Sequence, residues 1–263
     1  MKLFKKNNTV TGMIHVGALP STPLSKLSLG EIEKQVIKEA KIYASSGVDA
    51  IMLENMHDIP YLKGHVGPEI VASMAIIASG VRQLVKIPVG IQILAAANKE
   101  ALAVAATAGL NFIRVEGFAF AHVADEGVIE SCAAELLRYR KQLHAERIEV
   151  WADIKKKHSS HAITADVSIS ETAHAAEFMH ADAVIVTGSA TGVEPKREEV
   201  THVKAAVTIP LYLGSGITHK NIGSFKGKAD GYIVGSEFKK DGDWRNTVDP
   251  KRIERFLKAL TKA

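Results

Sequence analysis

Eight short runs of β-forming residues, each followed by a stretch with helical spacing, recur along the chain without a break, and nothing else in the sequence restricts its fold so strongly. The strand-like runs are GMIHVGA (12–18), DAIMLEN (49–55), VGIQIL (89–94), FIRVEG (112–117), EVWADIK (149–155), AVIVTG (183–188), LYLGS (211–215) and GYIVGS (231–236). Between them apolar residues return every three or four positions, as in EIEKQVIKEAKIYASSG and KEALAVAATAG, the period of a helix with one buried face. Several of these stretches end in Gly or Ala-Asp just before the next strand, where a helix C-cap falls. Strands that alternate with helices pair in parallel through right-handed crossovers. Eight such units at roughly 30-residue spacing predict a single (β/α)8 TIM barrel over 1–263, in preference to an open doubly wound sheet.

The composition narrows the partners. Lys and Arg total 33 against 29 for Asp and Glu, and the basic residues are spread out, which argues against a nucleic-acid track. The least charged stretch, VGPEIVASMAIIASGVRQLV, carries Glu69 and Arg82 and reads as a buried helix, so no integral membrane association is expected. No apolar secretory segment follows MKLFKKNN. The single cysteine, Cys132, lies in the helical pattern ESCAAELLRYRKQL and suits a buried thiol in a reducing, cytoplasmic setting. A homo-oligomer is compatible with all of this.

In a barrel of this kind function sits at the carboxyl ends of the strands. Alternation along each strand decides which side chains look inward. It places Ile51, Leu53, Ile113, Val115, Val150, Ala152 and Ile154 toward the helices, and Ala50, Met52, Phe112 and Trp151 inside. At the strand ends the inward set becomes His15, Glu54, Gln92, Arg114, Glu116, Asp153 and Lys155. These ionisable groups either pair to stabilise the barrel or shift one another's pKa values and act as acid and base; the second reading makes Glu54 and Glu116 the acid/base candidates and Arg114 an anion binder.

LGSGITHKNI offers Gly214, Ser215, Gly216 and Thr218 after the seventh strand, ahead of a helical stretch, and IVGSEF offers Gly235 and Ser236 after the eighth. Glycines let backbone approach a ligand, and N–H groups at a helix start attract an anion, so the two loops together predict a phosphate site. The plainer alternative is that they only shape turns. No cofactor is predicted: Glu54, His57 and Asp58 in LENMHD, and His122 with Asp125 in AHVAD, leave a divalent metal open, but no recognised ligand spacing supports one.

WADIKKKHSSH, at the end of the fifth strand, carries three consecutive lysines. Continued alternation would send Lys155 and Lys157 into the pocket and leave Lys156 in solvent. An inward lysine can form a Schiff base if its pKa is lowered, whereas Asp153 beside it would favour a charged one.

Taken together, GMIHVGALPSTP, VDAIMLENMHDIPY, RVEGFAFAHVADEGVIESCAAELLRYR, ADIKKKHSSH, ADAVIVTGSATG, LGSGIT and ADGYIVGSEFKKDG give a chain that resembles the BtpA/SgcQ family along nearly its whole length. The resemblance implies a single-domain barrel. Glu54, Asn55, Asp58, Arg114, Asp125, Gly127, Asp153, Lys157 and His158 match the family's shared polar positions, which favours Lys157 over Lys155. A cyanobacterial member is associated with accumulation of photosystem I, and bacterial members in sugar-utilisation gene clusters are counted as candidate nucleosidases or sugar-phosphate enzymes. The sequence-level expectation is therefore an enzyme acting on a small phosphorylated sugar or nucleoside, of nucleosidase (hydrolase) or lyase type, with Glu54 or Asp153 as base and Lys157 or Arg114 stabilising charge. A non-catalytic assembly factor is the alternative, and a Schiff-base aldolase a third.

Overall fold

Eight parallel strands, Thr9–His15, Ala50–Glu54, Val89–Gln92, Phe112–Val115, Glu149–Ile154, Ala183–Val186, Leu211–Leu213 and Gly231–Val234, close on one another in a computed structural model that describes residues 3–188, 190 and 192–262. Ser189 and Thr191 of the ADAVIVTGSATG motif lie outside the described residues. The first strand seals the barrel by pairing with the second (Thr11 with Ala50) and with the eighth (Thr9 with Gly231). It begins three residues earlier than expected, because the β-branched Thr9, Val10 and Thr11 extend it toward its amino end.

The alternation holds for the strands themselves. The outward residues named above, from Ile51 to Ile154, pack into the layer beneath the helices. Met13, Ala50, Met52, Phe112, Trp151, Ile185, Tyr212 and Ile233 fill the inside. The Trp151 ring stacks between Phe112 at 3.9 Å and Tyr212 at 4.1 Å, a floor that closes the barrel below the polar strand ends.

Local chemistry sets the helices. Leu29–Ser46 starts at a capping box of Ser28 and Glu31 and stops at Gly47, whose φ of 84° is natural to glycine. Ile169–Phe178 starts the same way at Ser168 and Glu171. The described residues hold seven α-helices, not eight. After the seventh strand only the 3-10 turn Ile222–Ser224 forms, in a segment interrupted by Gly216, Gly223 and Gly227, and glycine costs about 1 kcal/mol per helical position relative to alanine. After the eighth strand the short 3-10 turn Ser236–Phe238 precedes the helix Pro250–Lys262.

Two loops at the mouth depart from the simple pattern. Residues His122–Ala124 and Gly127–Ile129 form a hairpin after the fourth strand, and Ser159–Ser160 pairs antiparallel with its first arm. The chain leaving the fifth strand is thereby tied across the mouth.

Candidate functional site

Two cavities open at the carboxyl ends of the strands and share Glu54, Met56, Arg114 and Lys157 in their walls. The smaller, of about 170 Å³, is bounded by Gly214, Ser215, Gly216, Thr218, Gly235 and Ser236, together with His15. All six residues predicted for the phosphate loops thus meet in one place. The larger, of about 520 Å³, is bounded by Gln92, Glu116, Asp125, Lys156 and His158 and by the apolar or aromatic Ile59, Pro60, Tyr61, Leu94, Ala95 and Trp244.

Charge is concentrated where the cavities meet. Arg114 Nε and Nη2 donate to Asp153 Oδ2 and Oδ1 at 2.9 and 3.0 Å, a two-pronged contact buried on both sides. Burial opposes the Arg114 charge, but Asp153, Glu54 and Glu116 around it hold the guanidinium ionised. A Cβ added at Gly214 would lie 3.5 Å from Arg114 Nη2, so the cation reaches the seventh-strand loop. Asp153, expected as a base, has both oxygens on Arg114 and serves to position it.

The fifth-strand lysines differ from expectation. Lys155 takes a positive φ of 44°, which ends the extended chain, so strand alternation no longer applies beyond it. Its ammonium turns aside to the Thr164 carbonyl at 3.1 Å, away from both cavities. Lys156, expected in solvent, instead faces Glu116 Oε1 at 3.2 Å, with side chains only 10% and 7% exposed. Lys157 points to the centre, its backbone N–H held by Thr187 Oγ1 at 3.0 Å. Burial lowers its pKa, helped by Arg114 and opposed by Glu54, Asp153 and Glu116.

Asn55 and Asp58, expected in the pocket, do not line either cavity. Asn55 donates to Asp58 Oδ2 and accepts from the Leu94 N–H, while Asp58 Oδ1 accepts from the Leu19 N–H. They tie the loops after the first three strands together. Ser215 and Thr218 are also engaged within the protein: the Ser215 hydroxyl donates to the Ala190 carbonyl, and the Thr218 N–H donates to Asn221 Oδ1. With no α-helix starting after the seventh strand, an anion there would be held by the cations and loop backbone, not by a helix end.

Sequence reasoning missed Tyr61, Trp244 and Lys156. Trp244, one of two tryptophans, sits in the polar KKDGDWRN segment, and an aromatic in so polar a loop was the available signal. Its carbonyl accepts from His15 Nδ1 at 2.9 Å, so His15 Nε2 is left as an acceptor, 3.8 Å from Glu54 Oε2. Burial, with Lys239 adding to it, drops the His15 pKa to about 3, and burial raises that of Glu54 against the pull of Arg114 and Lys157. Because the His15 pKa is depressed on folding, its neutral form contributes stability above about pH 6.5, lost as pH falls toward 3. The slope is about 1.4 kcal/mol per pH unit. Urea unfolding at pH 6.5 and pH 5 should therefore show His15→Asn losing about 1.5 kcal/mol less than wild type over that interval, since the slope is reached only below the unfolded value. Equal losses would sink this assignment.

Among the described residues, no group of three or more His, Cys, Asp or Glu side chains is placed to share a metal ion. His57 lies against Trp244 with ring centroids 4.9 Å apart, and His122 is buried beside His161. Among the described residues, no helix is long and apolar enough to cross a membrane.

The family model described as BtpA family matches residues 6–262. The chain belongs to the BtpA family. Its BtpA relatives include the Photosystem I biogenesis protein BtpA of Synechocystis sp., 35% identical over 260 residues, covering 98% of this chain and 90% of that one. An uncharacterized protein of Caenorhabditis elegans, named as mitochondrial, is 54% identical over 257 residues, covering 95% and 91%. Among solved structures, (S)-3-O-geranylgeranylglyceryl phosphate synthase from Thermoplasma acidophilum, in complex with sn-glycerol-1-phosphate, superposes with a TM-score of 0.64 at 15% identity over 98% of this chain and 94% of that one. Thiamine phosphate pyrophosphorylase from Pyrococcus furiosus gives 0.60 at 15% identity over 97% and 96%. At that identity the likeness speaks to the fold: this BtpA member is a TIM barrel.

Proposed function

We propose that this BtpA-family barrel is an enzyme that binds a small phosphorylated sugar or nucleoside across its two cavities and cleaves a bond in it by proton transfer, as a nucleosidase or a lyase does. The observation that carries this reading is the convergence of the two glycine loops with Arg114, Lys157, His15 and Glu54 on one small polar cavity. Arg114 and Lys157 would hold the anion and the charge that develops as the bond breaks. Glu54, lifted by burial, would supply or accept the proton, with His15 Nε2 as the neighbouring acceptor. The cytoplasmic location expected from Cys132 stands beside a nematode relative named as mitochondrial, and a lone cysteine agrees with either.

The test is a thermal-shift and calorimetric comparison of sugar phosphates on wild type and Lys157→Met. At least one sugar phosphate should raise Tm, and the variant should bind it about ten- to a hundredfold more weakly, since a hydrogen bond to a charged group is worth about 1.5–3 kcal/mol. If no phosphorylated compound stabilises the wild type, the reading fails. The assembly-factor alternative, which the name of the Synechocystis relative favours, would then take its place. The Schiff-base alternative now rests on Lys157 alone, which faces the centre with its pKa lowered by burial, since Lys155 turns aside to Thr164; borohydride reduction with carbonyl compounds should leave the 151–161 peptide unmodified if Lys157 holds an anion as proposed.

A further inference from the structure

The larger cavity is unlike the smaller one. Its wall runs through Ile59, Pro60, Tyr61, Leu94, Ala95 and Trp244, and a sugar phosphate alone would leave most of that surface without a partner. One polar atom in it is conspicuous: Gln92 is 2% exposed, and its Oε1 is buried with no hydrogen-bond partner. Buried carbonyls are nearly always satisfied, so such an atom at a cavity wall marks a place where a ligand donates. Gln92 ends the third strand, in register with Glu54, and strand alternation aims it at the cavity.

We infer that the larger cavity receives a planar, hydrogen-bonding ring of nucleobase type, read by the Gln92 side-chain amide, so that the ligand is a nucleoside 5′-monophosphate. A carboxamide offers an acceptor and donors side by side, which matches the paired donor and acceptor on the edge of a base. The apolar wall takes the faces of the ring, and Trp244 is the aromatic surface available for stacking. Glu54, Arg114 and Lys157, common to both cavities, then lie between ring and phosphate, where the sugar would sit. This inference rests on the proposed phosphate reading and specifies its substrate class.

Calorimetry with inorganic phosphate, ribose 5-phosphate and the four common nucleoside 5′-monophosphates, on wild type and Gln92→Leu, tests it. At least one monophosphate should bind wild type on the order of tenfold or more tightly than ribose 5-phosphate, and Gln92→Leu should erase that advantage while leaving ribose 5-phosphate binding within about twofold. If ribose 5-phosphate binds and every monophosphate binds no better, the ring inference falls and the phosphate reading stands. If no phosphorylated compound binds, both fall. A monophosphate advantage that survives in Gln92→Leu overturns the role of Gln92. Should Gln92→Leu fail to fold, the wild-type comparison still decides the ring, and Gln92→Met, which keeps the length without the acceptor or the donors, replaces it in the second arm.

Discussion

Asp153→Ala is expected to destabilise the barrel by about 3–5 kcal/mol, the usual cost of removing one partner from a buried ion pair. The expectation follows from the surroundings of Arg114. Its guanidinium is fixed by two bonds to Asp153 and is 6% exposed, so it has little water to fall back on. Glu116, the next carboxylate, is already taken up by Lys156 and by the Ala96 N–H. Glu54 is drawn toward its neutral form by burial. Denaturant unfolding at pH 7 measures the loss, with Asp243→Ala as control, because Asp243 forms its ion pair with Arg245 at the surface, where such pairs contribute little. A loss for Asp153→Ala no larger than for the control would mean that Arg114 is not held by Asp153 as described. Asp153→Asn should fall between, since it keeps one acceptor for the guanidinium. Asp153 holds Arg114 beside the loop of Gly214, so on the proposed reading ligand affinity should fall with the carboxylate even in protein that remains folded.

What could be read from the chain beforehand divides along physical lines. The strands and the faces of their side chains were legible because alternation with period two is a local rule: His15, Glu54, Gln92, Arg114 and Glu116 line the two cavities, and Asp153, which lines neither, lies inward against Arg114. The loops after strands seven and eight were legible as partners, because a closed barrel makes its last strands neighbours. The lysines were not legible beyond Ile154. One residue in the left-handed region exchanges the fates of Lys155 and Lys156, and just beyond it Ser159–Ser160 pairs with the hairpin arm His122–Ala124, a contact between distant parts of the chain that a local rule does not encode. Asn55 and Asp58 have the residue types of a catalytic site, but their partners, Leu94 and Leu19, lie on other loops. Residue type alone does not separate a loop tie from a catalytic group.

Gly216→Ala should cost about 2–5 kcal/mol, combining a left-handed backbone position with overpacking against main chain. Gly216 has a φ of 65°, and a Cβ built there would lie 2.2 Å from the Val193 carbonyl carbon, which is backbone and has no rotamer to change. Gly227→Ala is the comparison, since Gly227 has a similar φ of 77° but nothing within 4 Å of its Cβ position. Its loss should be limited to the conformational cost of about 1–2 kcal/mol. Urea midpoints for both variants give the difference directly, and a loss at Gly216 equal to that at Gly227 would refute the close approach. The contrast assigns a purpose to a glycine that the sequence reads as part of a phosphate loop. Its missing side chain makes room for the loop that follows the sixth strand, so the wall of the small cavity is built by protein packing before any ligand arrives. On the proposed reading, a preformed wall would need no ordering when an anion enters, and the binding free energy that Arg114 and Lys157 would supply would not be spent on folding the loop.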